Sequence, residues 1–249
     1  MSNYNNFSPF YDLFTQNVNY KKRSKYLMEL FNDFGAKPTL LLDFACGTGN
    51  FSVEFSKMGI DVIGVDISEG MLSIAQNKNY GLKNPVMYLC QNGPELDLYG
   101  TVNGAVSCLD SLNHITNYSD FKNTLSKISL FLEPGSLFIF DMNTLYKHKE
   151  VLSTSSYRLK KRGVECFWQN RLLEDGVTVE ITLNFTYKSG LFKKESLTET
   201  FLERAYTKEE IESALNFAGL KLEKVYGENT KQPPTNKSQR NVYIARKAI

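Results

Sequence analysis

A glycine-containing turn follows an apolar run in the first fifth of the chain. Residues 40–50 read Leu-Leu-Leu-Asp-Phe-Ala-Cys-Gly-Thr-Gly-Asn, so the run ends at the carboxylate of Asp43 and small residues follow it. Gly47 and Gly49 let the backbone pass close to a ligand where a Cβ atom would intrude. A helix that begins after them offers free N–H groups to a carboxylate. The turn therefore predicts a close-fitting site for a small molecule.

A second carboxylate, Asp66, ends the next apolar run, Val62–Val65. Its two oxygens can accept hydrogen bonds from both hydroxyls of a ribose. The separation from Gly49 suits one helical crossover between parallel strands. A nicotinamide dinucleotide site has the same features and is the alternative. Its G-x-G-x-x-G pattern needs a last glycine beside the pyrophosphate, but Ser52 stands at that position with bulky Phe51 before it, which favours a ligand without a pyrophosphate.

The turn at residues 43–49 resembles the first motif of class I S-adenosylmethionine (SAM)-dependent methyltransferases, and the resemblance continues through nearly the whole chain. It implies that Asp43 faces the methionyl ammonium, Asp66 the ribose and Asn92 the adenine. Ala45 stands where glycine is common, and its methyl group is tolerable there if φ is negative. The cofactor-binding residues that the resemblance implies are Asp43, Ala45, Cys46, Gly47, Gly49, Asp66, Ile67, Met71, Gln91, Asn92, Gly93, Leu109 and Asn113.

The resemblance also implies the chemistry. Methyl transfer is an in-line displacement at a sulfonium carbon, so the protein has mainly to aim the reactants, and no metal is required. Residues 109–114 resemble the fourth motif of the family, which borders both the cofactor and the substrate. His114 could deprotonate a hydroxyl or ammonium nucleophile near neutral pH. We expect catalytic roles for His114, Tyr11 and Tyr20, and substrate contacts from Asn113, Asp141 and Asn143. Trp168 and Arg204 could shape the pocket, but Trp168 alternates with Cys166, which favours a place in the core for its side chain.

The predicted site residues lie at the ends of short apolar strands, which alternate with amphipathic helices along the chain. The pattern predicts helices at 20–34, 50–57, 68–77 and 121–132, and strands at 39–44, 61–65, 86–90, 105–109 and 137–140. Thr207 and Glu210 form a capping box that opens a later helix, which Gly219 ends, and strands follow at 221–226 and 242–246. We therefore expect an α/β protein with a doubly wound, seven-stranded, mostly parallel sheet, the Rossmann-like methyltransferase fold.

Between about residues 157 and 203 the apolar period changes to two, as in Val177, Val179 and Ile181. This period predicts antiparallel strands, with hairpin turns at residues 174–176 and 189–190. We expect a small inserted antiparallel β subdomain at 151–203. The remaining residues, 1–150 and 204–249, would form the SAM-binding domain, with an N-terminal helical lid over about residues 1–35.

The composition limits the classes of partner. The 29 Lys and Arg residues nearly balance the 27 Asp and Glu residues, so nucleic acid is an unlikely partner. No apolar run approaches the roughly 20 residues of a membrane span. Four scattered cysteines and the lack of a signal-peptide pattern lead us to expect a cytoplasmic protein. We expect a methyltransferase that acts on a small molecule as a monomer or weak dimer. The alternatives are an NAD-type oxidoreductase and a non-catalytic SAM-binding module.

Overall fold

The first half of the chain alternates strands and helices, and a run of long strands follows. The structure, a computed structural model, describes residues 7–153, 155–189 and 193–248. The helices are α1 (Ser8–Phe14), α2 (Tyr20–Asp33), α3 (Asn50–Lys57), α4 (Glu69–Asn77), α5 (Tyr118–Phe131) and α6 (Lys208–Phe217), with 3-10 turns at Gly93–Glu95 and Ser111–His114 and a π-helical segment at Lys147–Leu152. The strands are β1 (Leu40–Phe44), β2 (Asp61–Asp66), β3 (Met87–Cys90), β4 (Gly104–Ser107), β5 (Leu137–Asn143), β6 (Ser156–Lys161), β7 (Val164–Leu172), β8 (Thr178–Ser189), β9 (Lys193–Arg204), β10 (Leu220–Gly227) and β11 (Arg240–Lys247).

Seven strands form the main sheet in the order β10-β11-β5-β4-β1-β2-β3. Strands β1 to β5 pair in parallel, and β11 runs antiparallel to both of its neighbours, β5 and β10. The strand order therefore proceeds in opposite directions from the neighbouring strands β1 and β4. Open α/β sheets bind their ligands at such a switch point. The predicted α/β architecture, a doubly wound and mostly parallel seven-stranded sheet beside a separate antiparallel sheet, is confirmed.

Apolar side chains cover both faces of the main sheet. On one face, Phe121 and Leu125 of α5 and Leu215 of α6 pack against the strands. On the other face, Phe31 of α2 and Phe55 of α3 do the same, and neither side chain is exposed to solvent. Burial on both faces explains why the parallel strands are apolar runs rather than alternating patterns. In the described ranges, no helix has both the length and the apolar character that crossing a membrane would require.

The antiparallel sheet has the order β6-β7-β8-β9 and packs against α1. Phe185 of β8 lies at the centre of this contact. The rings of Phe7 and Phe10 stack on it, with centroids 5.3 and 5.1 Å away, and Phe14 lies 5.7 Å away. On the opposite side, the cluster includes Met71 of α4. Helix α1 therefore lies between the two sheets, where it can cover a site at the edge of the main one.

Several predicted boundaries were shifted. Helix α5 begins at Tyr118 rather than at residue 121, because the side chain of Asn117 accepts from the Ser119 and Asp120 amides and caps it earlier. Strand β4 ends at Ser107 rather than at residue 109, since Leu109 has a positive φ. Strand β5 continues to residue 143 because β11 pairs along its full length. The predicted hairpin turn at residues 189–190 lies partly outside the described residues, as does the start of the predicted N-terminal lid.

Candidate active site

A cavity of about 460 Å³ opens at the carboxyl ends of β1, β2 and β4 and extends to the edge of the antiparallel sheet. Its walls come from the turns after these strands, from α1 and from β8 and β9. Eleven of the predicted site residues line it: Tyr11, Ala45, Gly47, Asp66, Ile67, Met71, Gln91, Asn92, Gly93, Leu109 and His114. The predicted residues among them are up to 103 positions apart in the sequence, from Tyr11 to His114.

A smaller cavity of about 30 Å³ adjoins the first on the side of β1 and α3. Five residues line both cavities: Tyr11, Ala45, Gly47, Leu109 and Ser111. Three further predicted residues, Tyr20, Asp43 and Cys46, line only the smaller one. This space is about the size of one or two water molecules or a small polar group. It is therefore the deep end of the site, closed by the two tyrosines.

The carboxylate of Asp66 connects the two glycine-bearing turns. Its Oδ2 accepts a hydrogen bond from the Gly47 amide at 2.7 Å, and its Oδ1 accepts from the Ser68 amide at 2.9 Å. Burial raises the pKa of Asp66, although the Ser68 and Gly47 amides act in the opposite direction. Each carboxylate oxygen has a second lone pair. Asp66 can therefore hold its turn and still bind a vicinal diol in the cavity.

Asp43 is almost fully buried at the end of β1. Its Oδ2 accepts a hydrogen bond from the Ser52 hydroxyl at 2.5 Å, which ties the strand to the first turn of α3. Burial raises the pKa of Asp43 to about 7, with the nearby Asp66 adding to the effect and Ser52 opposing it. A carboxyl group with this pKa would be ionised by a cationic partner. The side chain thus suits an ammonium group placed in the smaller cavity.

Backbone strain is concentrated at the two turns that border the cavity. Ala45 has a φ of +57°, and Leu109 and Asp110 have φ values of +59° and +54°. The condition under which Ala45 would be unstrained, a negative φ, is not met, because the turn needs a left-handed residue between β1 and Gly47. Such a conformation costs of the order of 1 kcal/mol or more for a non-glycine residue. These left-handed residues lie where the backbone must approach a ligand.

The glycines of the first turn have different reasons for being there. Gly47 has a φ of +54°, and a Cβ atom added to it would meet no protein atom within 4 Å, so the backbone opens onto the cavity. Gly49 has a φ of +73°, and a Cβ atom there would lie 2.3 Å from the Tyr88 hydroxyl and 2.9 Å from Ala75. Gly49 does not line either cavity. It allows α3 to begin against β3 and α4.

The predicted adenine side consists of α4 and the turn after β3. Ile67 and Met71 give it an apolar wall, and Asn92 and Gly93 line it beyond the strand end. A Cβ atom on Gly93 would lie 2.5 Å from the Thr124 hydroxyl, so only glycine allows this turn to lie against α5. The amide of Gln91 is bound to the backbone of Asp97 through both of its polar atoms, at 2.9 and 3.0 Å. Gln91 therefore shapes the loop.

Asn113 lies outside both cavities and is fully buried. Its Nδ2 donates to the carbonyls of Asn143 and Arg204 at 3.3 and 2.8 Å, and its Oδ1 accepts from the Asn143 amide at 2.9 Å. The three hydrogen bonds of its side chain are therefore all directed at β5 and the end of β9. The expected cofactor or substrate contact of Asn113 is replaced by a structural one, which joins the 3-10 turn that carries His114 to both sheets.

The expected substrate contacts of Asp141 and Asn143 are also replaced. Asp141 accepts from the amides of Leu109 and Asp110 at 2.9 and 2.6 Å, which holds these left-handed residues in place. Arg240 lies 2.7 Å from Asp110 and 3.6 Å from Asp141. Burial would raise the pKa of Asp110, but Arg240, Lys147 and His114 together hold it below its ordinary value. This buried charge network supports the turn after β4 from behind.

The three predicted catalytic residues lie on the cavity walls. His114 lines the larger cavity on the side of the antiparallel sheet, where its ring centroid is 5.2 Å from that of Phe201. Tyr11 lies at the junction of the two cavities, and Tyr20 lines the smaller one. Burial raises the pKa of both tyrosines. Their hydroxyls therefore stay protonated near neutral pH and can serve as hydrogen-bond donors.

Nine residues that line the larger cavity were not predicted from the sequence. Phe44 and Val65 directly precede predicted residues at strand ends and could have been found from that position. No local pattern identified the residues from the antiparallel sheet. Arg204 does not line the cavity, and neither does Trp168, whose side chain packs against the core cluster of the antiparallel sheet. The unpredicted lining residues of the larger cavity are Phe44, Val65, Ser111, Ile115, Thr116, Glu180, Thr200, Phe201 and Leu202.

Comparison with known proteins agrees with this geometry. A family model described as a methyltransferase domain matches residues 41–135. A SAM-dependent methyltransferase of Clostridium acetobutylicum ATCC 824 is 30% identical, with 99% of both chains covered and a TM-score of 0.87. The YqeM protein of Bacillus subtilis (strain 168), which also carries a methyltransferase name, is 28% identical over 98% of this chain and 97% of its own. CalS10 of Micromonospora echinaspora, solved with SAM bound, shares the fold at 16% identity (TM-score 0.75; 94% and 93% covered).

The chain belongs to the SAM-dependent methyltransferases. It is a transferase whose cofactor is SAM and whose product is S-adenosylhomocysteine. The alternative of an NAD-type oxidoreductase is set aside by this membership. The turn that lacks the third glycine of the dinucleotide pattern, and has Ser52 bound to Asp43 instead, fits a cofactor without a pyrophosphate.

Proposed function

We propose that the protein methylates a nitrogen or oxygen atom of a small, neutral or basic acceptor that lies between His114 and the edge of the antiparallel sheet. The observation that carries this proposal is the continuity of the larger cavity. It runs from Asp66, whose carboxylate could bind the hydroxyls of a ribose, past the turn after β4 to His114, and then to Phe201. One end fits a nucleoside, and the other end is walled by a different sheet. A donor and an acceptor can therefore meet near His114.

The cofactor fits the end of the site near β1 and β2. Asp66 would bind the ribose hydroxyls, and Ile67 and Met71 would pack on the adenine, with Asn92 and Gly93 at its edge. The methionyl group would extend into the smaller cavity, where Asp43 would meet its ammonium, with Tyr20 nearby. Gly47, open to the cavity, gives the close approach of backbone that this path needs. Bound SAM supplies an activated methyl group and a neutral thioether leaving group.

The charges on the acceptor side limit the acceptor. Glu180 lines the cavity there, and so does the imidazole of His114. Lys and Arg are absent from the described residues that line this cavity, and Arg171 pairs with Glu180 at 2.9 Å from outside the lining. Phe201, Leu202 and Ile115 add apolar surface. An amine or an alcohol on a partly apolar skeleton suits this wall better than a phosphate or carboxylate does.

His114 is the general base of the proposed reaction. As the acceptor atom forms its bond to the methyl carbon, its proton passes to the His114 imidazole, and the electrons of the breaking carbon–sulfur bond remain on sulfur. Tyr11, protonated and at the junction of the cavities, orients the reacting groups and excludes water. Positioning of this kind can lower a barrier by roughly 7 to 11 kcal/mol.

The remaining expectations belong to the same proposal. Residues 1–150 and 204–249 form the SAM-binding domain, and residues 151–203 form a subdomain that supplies the acceptor wall. The protein works as a monomer or weak dimer without nucleic acid. A cytoplasmic location is supported by the four cysteines of the chain, all of which are free thiols in the structure.

Titration calorimetry with SAM, S-adenosylhomocysteine and NADH tests the cofactor end, and a screen of amines and alcohols for S-adenosylhomocysteine release tests the acceptor end. We expect His114→Ala to leave SAM binding intact and to reduce turnover by about 100-fold or more, the usual contribution of a general base. Full turnover in that variant across the pH range would refute the assignment of His114. Turnover of only carboxylate or phosphate acceptors would refute the proposed acceptor class.

A further inference from the structure

Glu203, near the end of β9, is a buried carboxylate that faces the imidazole of His114. Its side chain is 7% exposed, and its Oε1 lies 3.8 Å from His114 Nε2. This distance is too long for a hydrogen bond but short enough for an ion pair once the ring takes up a proton. Glu203 does not line the cavity, so it reaches the acceptor only through His114.

Polar or charged groups from several parts of the fold surround Glu203. Asn143 of β5 donates to Oε2 at 2.9 Å, and the Nε2 of His148, in the π-helical segment, lies 3.8 Å from the same oxygen. Asp110, after β4, repels the carboxylate, while Lys147 attracts it. Arg240 of β11 also interacts with it electrostatically. The carboxylate is therefore held in place, and the charges around it are of both signs.

The two imidazoles that face Glu203 are not equivalent. His148 is fully buried, and its Nδ1 donates to the carbonyl of Val177 at 2.8 Å. Burial lowers the pKa of His148, so this ring remains neutral near pH 7. His114 instead opens onto the cavity, where a proton can arrive from a ligand. Of these two rings, His114 is the one placed to gain a charge opposite Glu203.

We propose that Glu203 is a positioning residue that orients the His114 imidazole and balances its charge when it receives the proton of the methyl acceptor. This inference rests on the proposed function of His114. The Nε2–H of His114 faces Glu203, and Nδ1 takes the proton as the acceptor atom bonds to the methyl carbon. The imidazolium then pairs with the Glu203 carboxylate, and the proton returns to solvent after product release.

A purely structural role would not require this residue type. Asn143 needs an acceptor at this position, and the oxygen of a glutamine would satisfy it. A buried carboxylate costs free energy unless a partner compensates for it. Burial and the nearby Asp110 raise the pKa of Glu203, and His114 acts to lower it. The carboxylate is thus maintained at a cost that an ion pair with His114 offsets.

Glu203→Gln is the direct test, because it removes the charge and keeps the shape and the contact with Asn143. Glu199→Gln is the matched control: Glu199 lies on the same strand and is 7% exposed, and it pairs with Leu183. Glu203→Asp keeps the charge and serves as the second variant if glutamine impairs folding. The probe is NMR of the imidazole signals in the S-adenosylhomocysteine complex, which is simple because the chain has only two histidines.

We expect the His114 signal to titrate at a pH about one unit lower in Glu203→Gln than in the unmodified protein. The pH at which His114 titrates should be unchanged in Glu199→Gln. In Glu203→Asp it should lie between the values for Glu203→Gln and the unmodified protein. With an acceptor from the screen, kcat should fall roughly tenfold or more, KM should change little, and the acidic limb of kcat/KM should move to lower pH by the same amount.

An unchanged titration of His114 in Glu203→Gln would overturn the inference. So would a shifted titration with unchanged kcat, because the charge would then have no effect on the reaction. Neither result would affect the assignment of His114 as the base, which fails only if His114→Ala keeps its turnover. The two proposals can therefore fail separately.

Discussion

The two ends of the larger cavity are built in different ways. The cofactor end uses backbone turns and the carboxylates Asp43 and Asp66, all between residues 43 and 93. The acceptor end combines His114 with residues 180 and 200–202, and a charge network around Asp110, Asp141 and Arg240 supports it from behind. The first end depends on local chain geometry and the second on long-range packing. They should therefore respond differently to substitution.

Asp66→Ala should have the largest effect, and only on the cofactor end. It removes the diol-binding carboxylate and the acceptor for the Gly47 amide, so SAM affinity should fall by about 100-fold or more, since each tenfold corresponds to about 1.4 kcal/mol. Calorimetry measures this. Asp61→Ala, at the opposite, exposed end of the same strand, is the control and should bind SAM normally. Equal binding by both variants would contradict the placement of the ribose.

Asp141→Asn should affect the acceptor end and the stability together. An amide cannot accept from both the Leu109 and Asp110 amides as the carboxylate does, and it leaves Arg240 with one fewer counter-charge. We expect a loss of roughly 2 to 4 kcal/mol in the free energy of unfolding, measured by urea denaturation. Asp33→Asn removes an exposed ion pair with Lys231 and should change the stability much less. A similar cost for both would mean that the buried network is not needed.

Asp43→Asn should change the pH dependence of SAM binding. Because burial raises the pKa of Asp43 to about 7, its carboxyl is mostly protonated at pH 6 and mostly ionised at pH 8. The ammonium of SAM needs the ionised form, so Asp43 should make affinity on the order of tenfold higher at pH 8 than at pH 6. The variant should bind SAM more weakly, and the ratio of its affinities at pH 8 and pH 6 should be smaller. A ratio equal to that of the unmodified protein would place the ammonium elsewhere.

The raised pKa of Asp43 also predicts how the stability of the ligand-free protein depends on pH. The folded state keeps the Asp43 proton up to about pH 7, whereas an unfolded Asp loses it near pH 4. The folded state therefore binds more protons between these values, and the stability from Asp43 falls as pH rises through this window. Asp43→Asn should gain more in Tm at pH 8 than at pH 5. A Tm difference that does not depend on pH would contradict the raised pKa.

Ala45→Gly should have the smallest effect. Ala45 has a φ of +57°, a region that glycine enters without steric cost. Relief of the strain should stabilise the protein by about 1 kcal/mol, or roughly 2 to 4 °C in Tm. Ala75→Gly, in the middle of α4 and fully buried, is the control and should destabilise it. A lower Tm for Ala45→Gly would show that the methyl group contributes packing that outweighs its strain.

The strand-turn-helix units could be predicted from the sequence, because each is specified by a local pattern: an apolar run, a terminal carboxylate, a glycine turn and a cap. The sequence therefore predicted the α/β fold, the period-two strands and the residues that border the cofactor end. Tertiary structure alone decided the rest. Asn113, Asp141 and Asn143 have the residue types of a binding site, but pairing with β9 and β11 buries them as supports. Conversely, Thr200–Leu202 and Glu203 have no local signal. Phe201 and Glu203 face His114 only because the antiparallel sheet is packed there, through contacts between residues about 90 positions apart.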